Sequence, residues 1–116
     1  MKKINITELA SVVRSKNSGP YELTFDIIFK DRAAFEQARR SGVFTKELIA
    51  GLYNIDIDKV IGVVEFEAAN AIKATIVRPV VSGALGETDV YGAQQNAPLL
   101  SIEVPVSSDF VKYLDS

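Results

Sequence analysis

The chain has no cysteine and no histidine in its 116 residues. Without cysteine there is no disulfide framework, no thiolate nucleophile and no iron–sulfur ligation. Without histidine there is no imidazole base and no His-containing zinc site. Any metal site would have to be all-oxygen, of the calcium or magnesium kind, and acid–base chemistry falls to Asp, Glu, Lys or Tyr. A net charge of −2 offers no general attraction to nucleic acid or to an anionic membrane. No apolar run approaches the roughly 20 residues that span a bilayer. Polar Asn5, Thr7 and Glu8 follow Met1-Lys2-Lys3 in place of an apolar core, so no signal peptide is expected and the default location is the cytoplasm.

What is present is the composition of an ordinary soluble globule, 47% hydrophobic and 24% charged. The length suits one domain over 1–116. Residues 4–16 carry Ile6, Leu9, Ala10 and Val13 at i, i+3, i+4 and i+7, which predicts a helix. Asn5 and Glu8 have the spacing of reciprocal caps, and Ile4 and Leu9 that of a hydrophobic staple. Arg14 and Lys16 would then complement the last turn, and Asn17-Ser18-Gly19-Pro20 breaks the chain. Tyr21–Lys30 alternates apolar and polar residues except at Ile28, predicting a strand with one buried face. Asp31 caps a helix through about Arg40 that Ser41-Gly42 ends, with Phe35 and Ala38 inward; Thr45 caps another helix with Leu48, Ile49, Leu52 and Tyr53 as its stripe. Val60–Glu67 and Ala71–Arg78 read as a hairpin around Ala68-Ala69-Asn70, Leu99–Val104 as a last strand, and Ser108–Leu114 as a terminal helix. A strand–helix–strand–strand–helix–strand core, with its second helix within about Thr88–Ala97, predicts an α+β fold: a ferredoxin-like antiparallel sheet with helices packed on one face.

The long glycine-bearing stretch Arg78–Pro98 has no periodicity, and segments of this kind are often functional. Arg14, Ser15, Lys16, Asn17 and Gly19, read as a helix-to-strand loop, together with Arg78, make a candidate site for a carboxylate or phosphate. Ser82, Gly83, Glu87, Thr88, Asp89, Tyr91, Gln94 and Gln95 form a second candidate, with Asp89 or Glu87 as a base if burial raises its pKa. Its bland counterpart is a capped, hydrogen-bonded connection, and that reading is ahead. Asn54-Ile55-Asp56-Ile57-Asp58 with Glu65 imitates a calcium loop, but Lys59 stands where the sharp turn needs glycine, so no metal is assigned and a turn is the better account. RNA binding is not expected, because Tyr21, Phe25 and Phe29 share the strand face that should pack on helices. No cofactor is implied.

Leu9–Pro20 (LASVVRSKNSGP), Tyr21–Phe29 (YELTFDIIF), Ala69–Pro79 (ANAIKATIVRP) and Gly86–Leu100 (GETDVYGAQQNAPLL) together resemble the small domain associated with acyclic terpene utilisation (AtuA-type) proteins, in particular its stand-alone members of unknown function. The resemblance implies a ferredoxin-like fold and a large AtuA-type subunit as partner, in catabolism of branched acyl or terpenoid compounds as coenzyme A thioesters. The expectation is an accessory, partner-binding module that contributes to a ligand pocket, with an anionic small molecule and a homo-oligomer as further possibilities. The alternatives are a stand-alone enzyme using Asp89 with Arg78 holding a substrate carboxylate, and a regulatory ligand-binding domain. All three lean on the segment after Arg78 folding beside Arg14–Gly19.

Overall fold

The computed structural model describes residues 2–17, 21–77 and 97–115. In chain order they form β1 (Lys2–Asn5), α1 (Ile6–Leu9), β2 (Ala10–Asn17), β3 (Glu22–Phe29), α2 (Arg32–Ser41), α3 (Lys46–Tyr53), β4 (Val60–Phe66), β5 (Ala71–Val77), β6 (Glu103–Val106) and α4 (Ser108–Asp115). The fold is α+β. A four-stranded antiparallel sheet has the order β2-β3-β5-β4, and β1 pairs with β6 in a second, two-stranded sheet.

The order β3-β5-β4 is that of the first three strands of a ferredoxin-like sheet, and the arrangement is consistent with that class. The occupant of the fourth position differs from expectation. The edge beside β3 is taken by β2, whereas the carboxy-terminal strand leaves to pair with β1. The predicted helix over 4–16 is correspondingly cut to a single turn. Ile6 and Leu9 are buried as the helical stripe requires, and Asn5 caps the turn by accepting from the Thr7 amide at 2.8 Å. From Ala10 onward the chain is extended, because Val12, Val13 and the alternation through Lys16 suit a strand and β3 offers a full ladder of partners from Phe29 to Leu23. The last strand also moves, from the expected 99–104 to Glu103–Val106, with Ala97–Ser101 forming a 3-10 turn before it. Pro105 is tolerated within β6 because, among the described residues, β6 has only one neighbouring strand.

The other elements follow their sequence signals. Thr45 accepts from the Leu48 amide at the start of α3, and Gly42 ends α2 in the left-handed region at φ 71°. α2 and α3 cover one face of the four-stranded sheet. Phe25 stacks on Tyr53 at 4.6 Å, and Phe29 meets Phe35 and Phe44 edge-on, both at 6.1 Å. Leu23, Ile27, Ile72 and Ile76 complete that buried face. β6 packs beside α2, and Ile6 donates its amide to the Ile102 carbonyl, so the two ends of the described chain close one side of the core. Among the described residues no helix is long and apolar enough to cross a membrane.

Asp31 caps α2 by accepting from the Ala34 amide at 2.9 Å and takes a second bond, 2.7 Å long, from the Tyr113 hydroxyl of α4. The Ala34 amide first, then Tyr113, hold the Asp31 carboxyl below its ordinary value. The same bond raises the Tyr113 phenol. A depressed acid contributes stability above its unfolded pKa and loses it as pH falls; the raised phenol contributes below its unfolded pKa and loses it as pH rises. Asp31→Ala should therefore cost about 1 kcal/mol at pH 7. That difference should shrink as the pH falls below about 4, where the unfolded carboxyl takes up its proton before the native one does. Urea titrations at pH 7 and pH 3 check this; an equal gap at both would remove the charged cap as its cause.

Candidate binding face

Strand alternation sends every second side chain of the four-stranded sheet away from α2 and α3. The register aligns those side chains in rows across the strands. Arg14, Asp26, Lys73 and Val64 make one row. Lys16, Thr24, Thr75 and Gly62 make the next. Val12, Ile28, Ala71 and Phe66 make a third.

The charged row is organised around one carboxylate. Arg14 Nε donates to Asp26 Oδ2 at 3.1 Å, and the Asp26 side chain is only 8% exposed while that of Arg14 is 56% exposed. The pair uses Nε alone, so the outer Nη1–Nη2 edge of the guanidinium carries no bond to the described residues. Lys73 stands across Asp26 in the register, with its Nζ 5.0 Å from the centroid of the Phe66 ring. Lys16 makes no ion pair or side-chain hydrogen bond among the described residues. The face therefore carries three cations against two carboxylates, buried Asp26 and exposed Glu22 at its end, on a chain whose net charge is −2. Arg14, Lys16, Asp26, Ile28, Phe66 and Lys73 border a hollow of about 230 Å³. Val12, Val64 and Phe66 remain exposed beside it.

Of the site residues expected from sequence, the structure brings Arg14 and Lys16 together. Ser15 and Asn17 lie opposite Phe25 and Leu23, on the side of the sheet that faces the helices. The reading of residues 14–17 as a loop with free amides is thus corrected: they are strand, and alternation splits them between two faces. Arg78, Ser82, Gly83, Glu87, Thr88, Asp89, Tyr91, Gln94 and Gln95 lie outside the described residues, as does the proposed helix within 88–97 for all but its last residue. Asp26 and Phe66 were missed. Asp26 passes in the sequence for one polar position of an amphipathic strand, and it acquires its role only when β2 places Arg14 beside it. Val63 stands opposite Ala74 and packs against the core.

Other polar clusters are weaker candidates. Glu36 is held below its ordinary pKa, chiefly by a hydrogen bond from Arg39 at 2.6 Å, with Arg32 and Arg40 also near. Exposed ion pairs of this kind along a helix contribute little. A larger hollow of about 440 Å³ borders Lys2, Lys3, Glu8 and Lys30, but it has no buried polar side chain to orient a ligand. Asp56 and Asp58 belong to a 3-10 turn, as expected, although the Asp56 side chain makes no capping bond. No three potential metal ligands gather among the described residues.

Comparison with known proteins adds one assignment. No curated protein and no solved structure matches the chain. The model of a family described as a domain of unknown function, DUF4387, matches residues 6–103, which takes in α1 through β5, both faces of the four-stranded sheet and the start of β6. The chain belongs to the DUF4387 family.

Proposed function

We propose that this protein is a partner-binding module that meets an acidic protein surface through the helix-free face of its four-stranded sheet and contributes that face to a ligand pocket. One observation carries the reading: Arg14, Lys16 and Lys73 surround a single buried carboxylate, Asp26, with Val12, Val64 and Phe66 exposed around them. Apolar area with interspersed arginine and aromatic side chains is the composition of an interface core. The sign of the charge narrows the occupant. Two copies meeting face to face would bring six cations against four carboxylates, and the excess of like charge opposes association. An acidic surface is favoured by the same charges.

The partner that the sequence resemblance names is a large AtuA-type subunit of branched acyl or terpenoid catabolism. Affinity purification of the chain from its native cells, followed by mass spectrometry, tests this. The AtuA-type subunit should co-purify, and Lys16→Glu/Lys73→Glu should deplete it roughly tenfold or more while the variant stays folded. Retention of that subunit by the charge-reversed variant would place the contact elsewhere; its absence from the wild-type sample would end the assignment of this partner.

A further inference from the structure

We infer that the hollow on the open sheet face is a subsite for an amphipathic carboxylate. The inference deepens the reading of that face as functional and rests on it. The hollow has two chemically distinct halves. One is cationic, with the Nη1–Nη2 edge of Arg14, which carries no bond to the described residues, the ammonium of Lys16 and the ammonium of Lys73. The other is apolar, formed by Ile28, Ala71 and the ring of Phe66. A planar anionic head matches the outer fork of a guanidinium with two parallel hydrogen bonds. A hydrocarbon chain then runs from the charged row onto the neighbouring apolar row, where its burial is favourable.

Asp26 tunes the head group. It occupies Arg14 Nε and fixes the guanidinium plane, so the orientation of the fork exists before a ligand arrives. Its negative charge beside the head also penalises a dianion more than a monoanion, which selects carboxylate over phosphate monoester. The size of the hollow limits how much is held. At about 230 Å³ it falls below the roughly 300–1,000 Å³ of pockets that enclose a whole drug-sized ligand. It takes the head and the first carbons, and the remainder of the chain lies along Phe66 toward whatever covers the face.

The test is a heteronuclear NMR titration of the full chain with octanoate, and in parallel with acetate, octanol, octylamine and octyl phosphate. Octanoate should shift the amides of Arg14, Lys16, Asp26, Ile28, Ala71 and Lys73 saturably. Octanol lacks the charge and acetate lacks the chain, so each should bind roughly 10- to 100-fold more weakly. Octylamine should not compete. Arg14→Gln strips Asp26 of its partner, so the variant used is Lys16→Gln/Lys73→Gln, with retention of the native spectrum as its control. It should weaken octanoate by roughly tenfold or more. Octanol binding as tightly as octanoate would reduce the site to a greasy patch. Tighter binding of octyl phosphate would overturn the choice of carboxylate. Shifts confined to α2 and α3, no saturable shift at all, or an unaffected double variant would each overturn the subsite. Co-purification of the partner could survive all of these results, so loss of the subsite and loss of the partner contact are separately visible.

Discussion

Phe25→Ala is expected to lower the free energy of unfolding by about 3–5 kcal/mol. The ring is fully buried at the middle of β3, where the strand is hydrogen-bonded on both sides, by β2 and by β5. It also stacks on Tyr53, with ring centroids 4.6 Å apart and planes 22° from parallel, and so anchors the last turn of α3 to the sheet. Truncation would leave a cavity walled by two β-ladders and a helix, none of which can collapse into it cheaply. A domain with about 5–15 kcal/mol of stability would lose roughly a fifth of it or more. Urea unfolding should show the midpoint falling at an unchanged slope. A loss below about 1 kcal/mol would mean that this side of β3 does not face the helices.

Arg14→Ala should destabilise by about 1–3 kcal/mol, with an origin quite unlike that of the core variant. It would leave Asp26 as a buried carboxylate with no direct partner among the described residues, where Arg14 Nε is its one hydrogen-bond donor. Breaking a fully buried ion pair typically costs about 3–5 kcal/mol. The smaller figure is appropriate because more than half of the Arg14 side chain is open to solvent, which screens the pair. The double variant Arg14→Ala/Asp26→Leu separates the two causes. Removing both charges should restore most of the lost stability, because the penalty comes from the orphaned carboxylate and not from the absent guanidinium. A double variant as unstable as the single one would show that Arg14 acts through packing of its aliphatic stem.

Most elements were legible in the sequence where a local signal and the tertiary environment agree. Asp31 and Gly42 bracket α2, Thr45 opens α3, and the alternation of Leu23, Phe25, Ile27 and Phe29 defines β3 and its buried face. The failure over residues 10–16 has a physical cause. Ile6, Leu9, Ala10 and Val13 satisfy the helical period, while Val12, Arg14 and Lys16 alternate with Val13 and Ser15 as in a strand, and local spacing cannot choose between them. The choice is made by the antiparallel ladder to β3, a non-local term. The candidate site inherits this difficulty. Arg14 and Lys16 were recognisable as cations suited to an anion, but their companions Asp26, Phe66 and Lys73 arrive from three other strands through the register alone. Sequence distance hides such neighbours.

The pairing of Lys2 with Val106 also imposes a timetable. On the ribosome the first strand must wait for more than a hundred residues before its mate emerges, while the β2–β3 hairpin and the helices that follow can assemble around it. Long-range closure of this type is slow relative to hairpin and helix formation. Early termination within β6 would thus unfasten the opposite terminus as well, exposing the apolar side of Ile4 to any nascent neighbour.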